Sequence, residues 1–580
     1  MADTTKKGAS FFDNPLTRTK VKSANVKTME ALIGYLIGPF CGMLANCIFG
    51  SYLVAYFRNV LFEPYGTWEQ VADLSGKLEW KLVLPAGIET FLTLFPILSA
   101  ILIVAGNLVA GQIIERTRTR AGKARPWILL SAVTVAVASV LMFIQPVDNA
   151  VFKMIWLAVA YNLFYAVAFP LYNTANSAMV PVSTRNGKQR GLLASFVNMA
   201  VLGGAGAGAI VMPMIMVLFT GAFPGPENAE LPNSTGYLVL FVIIAAITFF
   251  GCVLQFYFTR ERVTEETNSS APQKTEENKE KALSIGKQAK ALFSDKFFLV
   301  VILFYFLYQM AGGIKNGSMQ MFSLSYGTTW GMDPYFAMTI LGVVGAVPMA
   351  LAILFVGPLC NKFGKQPVVL IGMVVGAAGG VLAGLFCENF IVTAIGVAIK
   401  CLGSAPAGYM ILAMISDVLD HGEAKNGFRC DGLAMSVYSA IMIASSPVAT
   451  GIVSGLIGWM GNATGSVVSY VWIETVAYAL AAAVMIFFGV EKFLVGDRRA
   501  VLARQKAEAE AAGIEWVEPE ERLRREEAEY DRLAEEARKA ELADYCEKKG
   551  LSFEEEEKKY QDKLAAKRAK AEARAKKKGE

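Results

Sequence analysis

Residues Gly111–Trp127 read GQIIERTRTRAGKARPW and set five basic side chains, Arg116, Arg118, Arg120, Lys123 and Arg125, between two long apolar runs. The run before them covers 84–114 and the one after covers 127–145. About 20 apolar residues cross the roughly 30 Å of bilayer hydrocarbon. Clustered Lys and Arg mark loops held on the cytoplasmic side. The stretch therefore reads as a cytoplasmic loop joining two membrane-spanning helices, and it fixes the orientation of everything around it.

Outward from this loop the pattern repeats. Twelve apolar runs fall at 31–57, 84–114, 127–145, 151–180, 192–220, 236–258, 297–315, 336–357, 368–387, 391–416, 433–459 and 467–490. The N-terminal segment carries six Lys or Arg, and the loops after spans 2, 4, 6, 8 and 10 carry five, three, eight, two and two. The loop after span 1 has three, and the remaining alternate loops have none. The asymmetry predicts both termini in the cytoplasm and an even number of spans. The expected fold is an all-α membrane protein of twelve transmembrane helices in two six-helix halves, 31–258 and 297–490. A cytoplasmic N-terminus (1–30), a polar linker (259–296) and a charged cytoplasmic helical tail (491–580) complete the chain.

Composition agrees. Of 580 residues 54% are hydrophobic and 18% charged, and mean hydropathy is +0.42. Soluble domains carry about 25% charged residues, so both a soluble enzyme and a disordered chain are excluded. The eight cysteines show no CxxC spacing and read as packing residues, and a single histidine, His421, argues against a histidine-based metal site. The chain shows no nucleophile–base set and no phosphate-binding loop, so no enzyme activity is expected. In the tail, 520–548 alternates charges in the manner of a solvent-exposed helix with i,i+4 pairs. The basic end Lys563–Lys578 is either a solvated terminus or a surface for anionic inner-leaflet lipid or a protein partner. It lacks the aromatic platform that nucleic acid would require.

Polar groups inside spans are functional candidates because hydrocarbon penalises them. Pro170 precedes the cluster Tyr172, Asn173, Thr174, Asn176 and Ser177, which is expected to line a water-filled cavity. Lys400 sits in mid-span 10 and is expected to face the cavity or an internal acidic partner. Glu474, Glu89 and Lys315 also lie within spans, whereas Lys153 stands at a span end, where a lysine reads as structural. Glycine-rich stretches in span 5 (203–208) and span 9 (376–380) permit close helix approach.

Three stretches resemble the glycoside–pentoside–hexuronide:cation symporters, the melibiose-carrier-like branch of the major facilitator superfamily. Gly111–Trp127 is similar to that family's DxTRSRxGRxRPW signature. RGLLAS at Arg190–Ser195 is similar to RxxLxS, and SDVLDHGEAKNGFRCDG at Ser416–Gly432 to ADxxDYxExKTGxRxxG. Weaker echoes stand at Gly34-Tyr35 with Gly38 and at Thr259–Arg262. The landmarks cover 31–490; the tail lies outside them.

The resemblance implies a secondary transporter of a sugar, glycoside or sugar acid across a bacterial cytoplasmic membrane, with Na+ or H+ as any coupling ion and no other cofactor. Basic Arg118, Arg120 and Arg190 face acidic Asp417, Asp420 and Glu423 (with Arg429 in the same motif) as the expected two sides of an inner gate. The family's membrane-embedded aspartates are replaced here: by alignment those positions hold Pro39, Ile103, Asn107 and Asn173, and its helix 11 lysine position holds Ile443. Asn107 marks the cation-site position without its charge. Loss of those carboxylates beside Lys400 and Lys315 predicts an electropositive cavity suited to an organic anion. A neutral sugar would instead use Asn173, Asn176, Tyr172, Tyr165, Tyr308 and Gln309. Uncoupled exchange of an anion and a non-transporting sensor acting through the tail are the alternatives to symport.

Overall fold

A computed structural model of the chain describes residues 26–562 apart from 73–77, 118, 120, 146, 185–186, 226–230, 263–284, 328, 429, 512 and 514–515, together with 565. Among the described residues eleven helices are long and apolar enough to cross a membrane. They are α1 (Thr28–Leu61), α2 (Ala86–Arg116), α4 (Ala150–Ser183), α5 (Gln189–Ala222), α6 (Ser234–Phe258), α7 (Lys296–Gly327), α8 (Pro334–Phe363), α9 (Lys365–Leu385), α10 (Phe390–Asn426), α11 (Leu433–Met460) and α12 (Asn462–Lys492). The remaining apolar run forms α3, Arg125–Leu141, of 17 residues. A short helix, Ile285–Phe293, precedes α7, and two polar helices follow α12: α13, Leu494–Ala511, and α14, Pro519–Lys549.

Helix starts obey side-chain capping. Asn149, Asn233, Asp333 and Asn389 each accept a hydrogen bond from backbone N–H groups in the first turn of α4, α6, α8 and α10. Three short connections turn at glycines with positive φ: Gly364 (90°), Gly427 (80°) and Gly461 (93°). Several helices outrun their apolar stretches. The acidic motif after span 10 lies on the last turns of α10 and not on a loop, so Asp417, Asp420 and Glu423 fall on neighbouring turns of one helix.

The bundle is helical, and between α1 and α2 the chain adds one short hairpin. Thr67–Ala72 (β1) and Leu78–Val83 (β2) pair antiparallel, Trp68 opposite Leu82 and Gln70 opposite Trp80. The second segment alternates in polarity over Leu78–Leu82, and a Ser75-Gly76 dipeptide stands between the two in sequence, which is a hairpin pattern. This hairpin marks one end of the bundle, the hairpin end. The connection between α6 and α7 marks the other, the linker end.

The described hydrogen bonds between α1–α6 with their hairpin and α7–α12 lie toward the hairpin end. Tyr52 meets Met338, Asn59 meets Met321, and Thr339 donates to the Ile210 carbonyl. The hairpin itself joins in, Lys81 donating to the Trp459 carbonyl and Asn462 to that of Trp80. Within α7–α12 the tightest seam is α9 on α10. A Cβ on Gly379 would stand 2.6 Å from the Lys400 backbone nitrogen, and one on Gly403 2.4 Å from that of Gly376. No larger side chain fits there, which accounts for the glycine-rich stretch in α9.

Candidate functional site: a buried charge triad and two end clusters

Three intramembrane charges meet where α7, α10 and α12 pack. The Lys400 ammonium lies 2.5 Å from the Glu474 carboxylate, and that of Lys315 lies 3.6 Å from it. A π turn in α12, Val468–Trp472, carries Tyr470, whose carbonyl accepts from Lys400 at 3.0 Å while its ring faces the same ammonium at 4.9 Å. Tyr478 donates to Glu474 at 2.6 Å, and Tyr308 stacks on Tyr478 with centroids 6.4 Å apart. Lys315 also reaches the Cys401 sulfur at 3.8 Å.

Of the two outcomes expected for Lys400, the internal acidic partner is the one found. Its side chain is 0% exposed and that of Glu474 1%, whereas Lys315 keeps 20%. Two ammonium groups against one carboxylate leave a formal charge of +1, carried by the lysine that remains reachable. Gln309, on the turn before the glycines of α7, is partly buried.

The polar cluster of α4 is divided. Tyr172 donates to Gln255 Oε1 at 2.9 Å, and Gln255 Nε2 donates to Asn176 Oδ1 at 2.7 Å; all three side chains are buried. A Cβ on Gly42 would stand 2.1 Å from the Tyr172 hydroxyl. Tyr172 and Asn176 thus tie α4 to α6 against α1, both through Gln255, while Asn176 Nδ2 is buried without a hydrogen-bond partner. Tyr165 sits in an aromatic cluster with Tyr161 (4.5 Å), Phe164 (5.0 Å) and Phe49 (6.3 Å). Asn173 is partly exposed, and Asn107 is partly exposed while donating back to the Ile103 carbonyl at 3.1 Å. No described hydrogen bond or ion pair joins this group to the triad.

At the linker end, Gly111–Trp127 and Thr259–Arg262 form one bracket. Glu261 accepts from the backbone nitrogens of Lys123, Ala124 and Arg125 at 2.7, 2.8 and 2.9 Å and caps α3. Gly122, at φ 115°, has the Glu261 carboxyl carbon 2.3 Å from where its Cβ would be. Arg125 is buried, donating to the carbonyls of Ala121 and Phe256, and Trp127 donates to Thr117 at 2.8 Å. Arg262 makes a two-pronged pair with Glu30 at 2.7 Å per contact.

The expected gate partners Arg118, Arg120 and Arg429 lie outside the described residues. Arg190 donates to the Thr184 carbonyl at 3.1 Å. The described partners of the acids come from their own side of the molecule: Lys365 with Asp417 at 2.5 Å, Arg498 with Asp420 at 3.9 Å and Arg504 with Glu423 at 3.3 Å. Pairing across the bundle is therefore absent from these described contacts, and two of the three partners belong to α13.

The hairpin end holds a lock that sequence reading missed. Arg58, counted there as a loop residue, is fully buried in the last turn of α1. It pairs with Glu89 through both nitrogens at 2.7 Å and donates to the Ser454 carbonyl of α11 at 3.1 Å. An arginine adjoining a long apolar run, with a glutamate at the start of the next, was the available signal. Arg58→Met is expected to speed amide exchange in 55–62 and 450–460 by about tenfold, the equivalent of about 1.4 kcal/mol. Unchanged exchange there would show that the pair holds nothing. Nearby Lys153 is tied to Asp148 at 2.9 Å, and this hydrogen bond with that from Tyr65 holds the Asp148 carboxyl below its usual range.

An all-helical bundle with charges gathered at its centre and both ends defines a class of polytopic membrane carrier. The chain belongs to the MFS/sugar transport protein family, whose model matches residues 34–492. It is 27% identical to the isoprimeverose transporter of Lactiplantibacillus pentosus over 66% of this chain and 77% of that one. It is 23% identical to the lactose permease of Leuconostoc lactis (79% and 67%), and 25% identical to a putative sulfoquinovose importer of Escherichia coli K12 (59% and 68%). Among solved structures, a D-xylose–proton symporter superposes with a TM-score of 0.53 and a nucleoside transporter with 0.52, each over 79% of this chain and at least 97% of the other. Their identities, 15% and 13%, speak to fold alone. The named sequence relatives are sugar transporters, not enzymes.

Proposed function

We propose that this protein carries a sugar acid or anionic glycoside across a bacterial cytoplasmic membrane by alternating access. Segments 31–258 and 297–490 rock as two six-helix halves, with α3 as the twelfth crossing and both termini in the cytoplasm. The observation that carries the reading is the +1 triad: Glu474 neutralises Lys400, and Lys315 remains for a solute carboxylate. Tyr308, two turns before Lys315 on the same face of α7, supplies an aromatic surface beside it, and Gln309, on the adjoining face, is the nearby amide. Asn173 and Asn107 are the polar contributions of the first half. In this reading the contacts gathered at the hairpin end, Arg58–Glu89 among them, belong to the outer side of the carrier.

The test is solute counterflow in proteoliposomes with no ion gradient, comparing neutral glycosides with matching uronates. Uronate exchange is expected to exceed neutral exchange and to fall at least tenfold in Lys315→Gln, the loss of one charge-assisted contact of about 1.5–3 kcal/mol. Neutral exchange that survives the substitution while uronates never exchange would overturn the anion assignment. Silence toward every glycoside and uronate would overturn transport itself. An imposed Na+ or H+ gradient then separates symport, which concentrates solute, from facilitated exchange, which does not.

A further inference from the structure

A hard cation inside a bilayer needs oxygen ligands and a carboxylate to neutralise it. Glu474 is the buried carboxylate among α7–α12, and both of its oxygens are already taken. The Lys400 ammonium meets Oε2 at 2.5 Å, while Oε1 accepts from Tyr478 at 2.6 Å and has the Lys315 ammonium at 3.6 Å. Glu89, the only other acidic residue in the twelve apolar runs, is held by Arg58. Among the described residues no group of three His, Cys, Asp or Glu gathers that could hold a metal ion.

The Lys400 ammonium has the surroundings of a bound ion. It is 0% exposed and lies between the Glu474 carboxylate and the Tyr470 carbonyl, 3.0 Å away, with the Tyr470 ring on it at 4.9 Å. That carbonyl belongs to the π turn Val468–Trp472, where the regular helical ladder is interrupted. A carboxylate oxygen and a backbone carbonyl oxygen are the donors a hard cation takes. The lysine is also delivered from a fixed point: a Cβ on Gly379 of α9 would stand 2.6 Å from the Lys400 backbone nitrogen, so the two helices are in close contact there.

We propose that Lys400 is a tethered counter-ion, its ammonium occupying between Glu474 and Tyr470 the place a free alkali cation would take, so that solute moves without drawing on a Na+ gradient. The consequence for transport rests on the carrier reading proposed above. An ammonium tied to α10 cannot leave with the solute, so no alkali ion crosses with it. Removing the ammonium but keeping the carboxylate takes the triad from +1 to neutral, Glu474 against Lys315, and leaves two oxygens facing a vacated space. A small cation entering that space restores the original charge.

Thermal melting of the full-length protein in detergent, in sodium chloride against choline chloride at equal ionic strength, tests this. Wild type is expected to melt at the same temperature in both. Lys400→Ala is expected to melt lower in choline and to recover about half of that loss in Na+ or methylammonium, which fit the vacated space as choline does not. A lysine needed only for packing would show no such recovery. Lys400→Ala with Glu474→Gln, which removes the carboxylate as well, is expected to lose the Na+ response. Lys400→Gln covers the case in which Lys400→Ala fails to fold, and should respond to Na+ in the same direction. A wild type stabilised by Na+ over choline overturns the tethered ion, and so does a folded Lys400→Ala or Lys400→Gln protein that answers neither cation. These readings need no solute, so failure of counterflow and failure of the tethered ion remain distinguishable.

Discussion

Glu474→Gln is expected to lower the melting temperature more than any other single substitution in the transmembrane region. The change leaves the Lys400 ammonium, which has 0% exposure, without a neutralising carboxylate, with only neutral company: the Tyr470 carbonyl and ring and the one oxygen of the new amide. Removing one partner of a buried ion pair costs about 3–5 kcal/mol, because the other charge stays desolvated. Lys315, at 3.6 Å, loses a second attraction in the same step. The companion measurement is Lys400→Met with Glu474→Gln, which removes both charges and should recover most of the loss. Thermal melting in detergent reads both variants. A single variant melting at the wild-type temperature would mean the triad is not the buried pair described.

Gly122→Ala should be the most damaging change outside the membrane region. The position is doubly constrained. Its φ of 115° lies where residues with a Cβ are strained, and the new methyl would meet the Glu261 carboxyl group at 2.3 Å. Either the turn or the cap must give way, and with the cap go three hydrogen bonds to the first turn of α3. A cost of about 3 kcal/mol or more follows from stacking strain on lost capping. Glu261→Gln keeps one accepting oxygen and should cost less than Glu261→Ala, which keeps none. Melting temperatures in the order wild type, Glu261→Gln, Glu261→Ala check this ranking. If Gly122→Ala matches wild type, the bracket is not what fixes the loop.

The bundle was legible because membrane burial writes itself in long apolar runs, and eleven of twelve runs gave helices of crossing length. Lys400 and Glu474 were legible as unusual residues for the same reason. Their pairing was not, since one stands in span 10 and the other in span 12 and only packing brings them together. Tyr172 and Asn176 look like cavity-lining groups in sequence, but a pattern of polar residues is silent about partners. The neighbour that bonds both, Gln255, is an unremarked glutamine in an otherwise apolar span. Arg58 was read as a loop residue because hydropathy cannot tell a helix end buried by neighbours from one in water. The hairpin was overlooked because its two strands are short and lie between stronger signals. The acids of α10 were legible as a motif, yet their described partners Arg498 and Arg504 lie in a tail that the family resemblance does not cover.

The helix α3 has a further consequence. Its 17 residues extend about 25 Å at 1.5 Å per residue, short of the roughly 30 Å hydrocarbon thickness. Its start is pinned by Glu261 and its end by Trp156, which donates to the Leu141 carbonyl at 3.0 Å, so it has little freedom to lengthen. Leu130, Val133 and Val137 are exposed along one side of it. On that flank the surrounding lipid must do the adjusting: acyl chains shorten or tilt around a fixed rod. With α3 as the proposed twelfth crossing, the carrier would fit a thinner bilayer on that flank, and lipids of shorter chain would suit it better there.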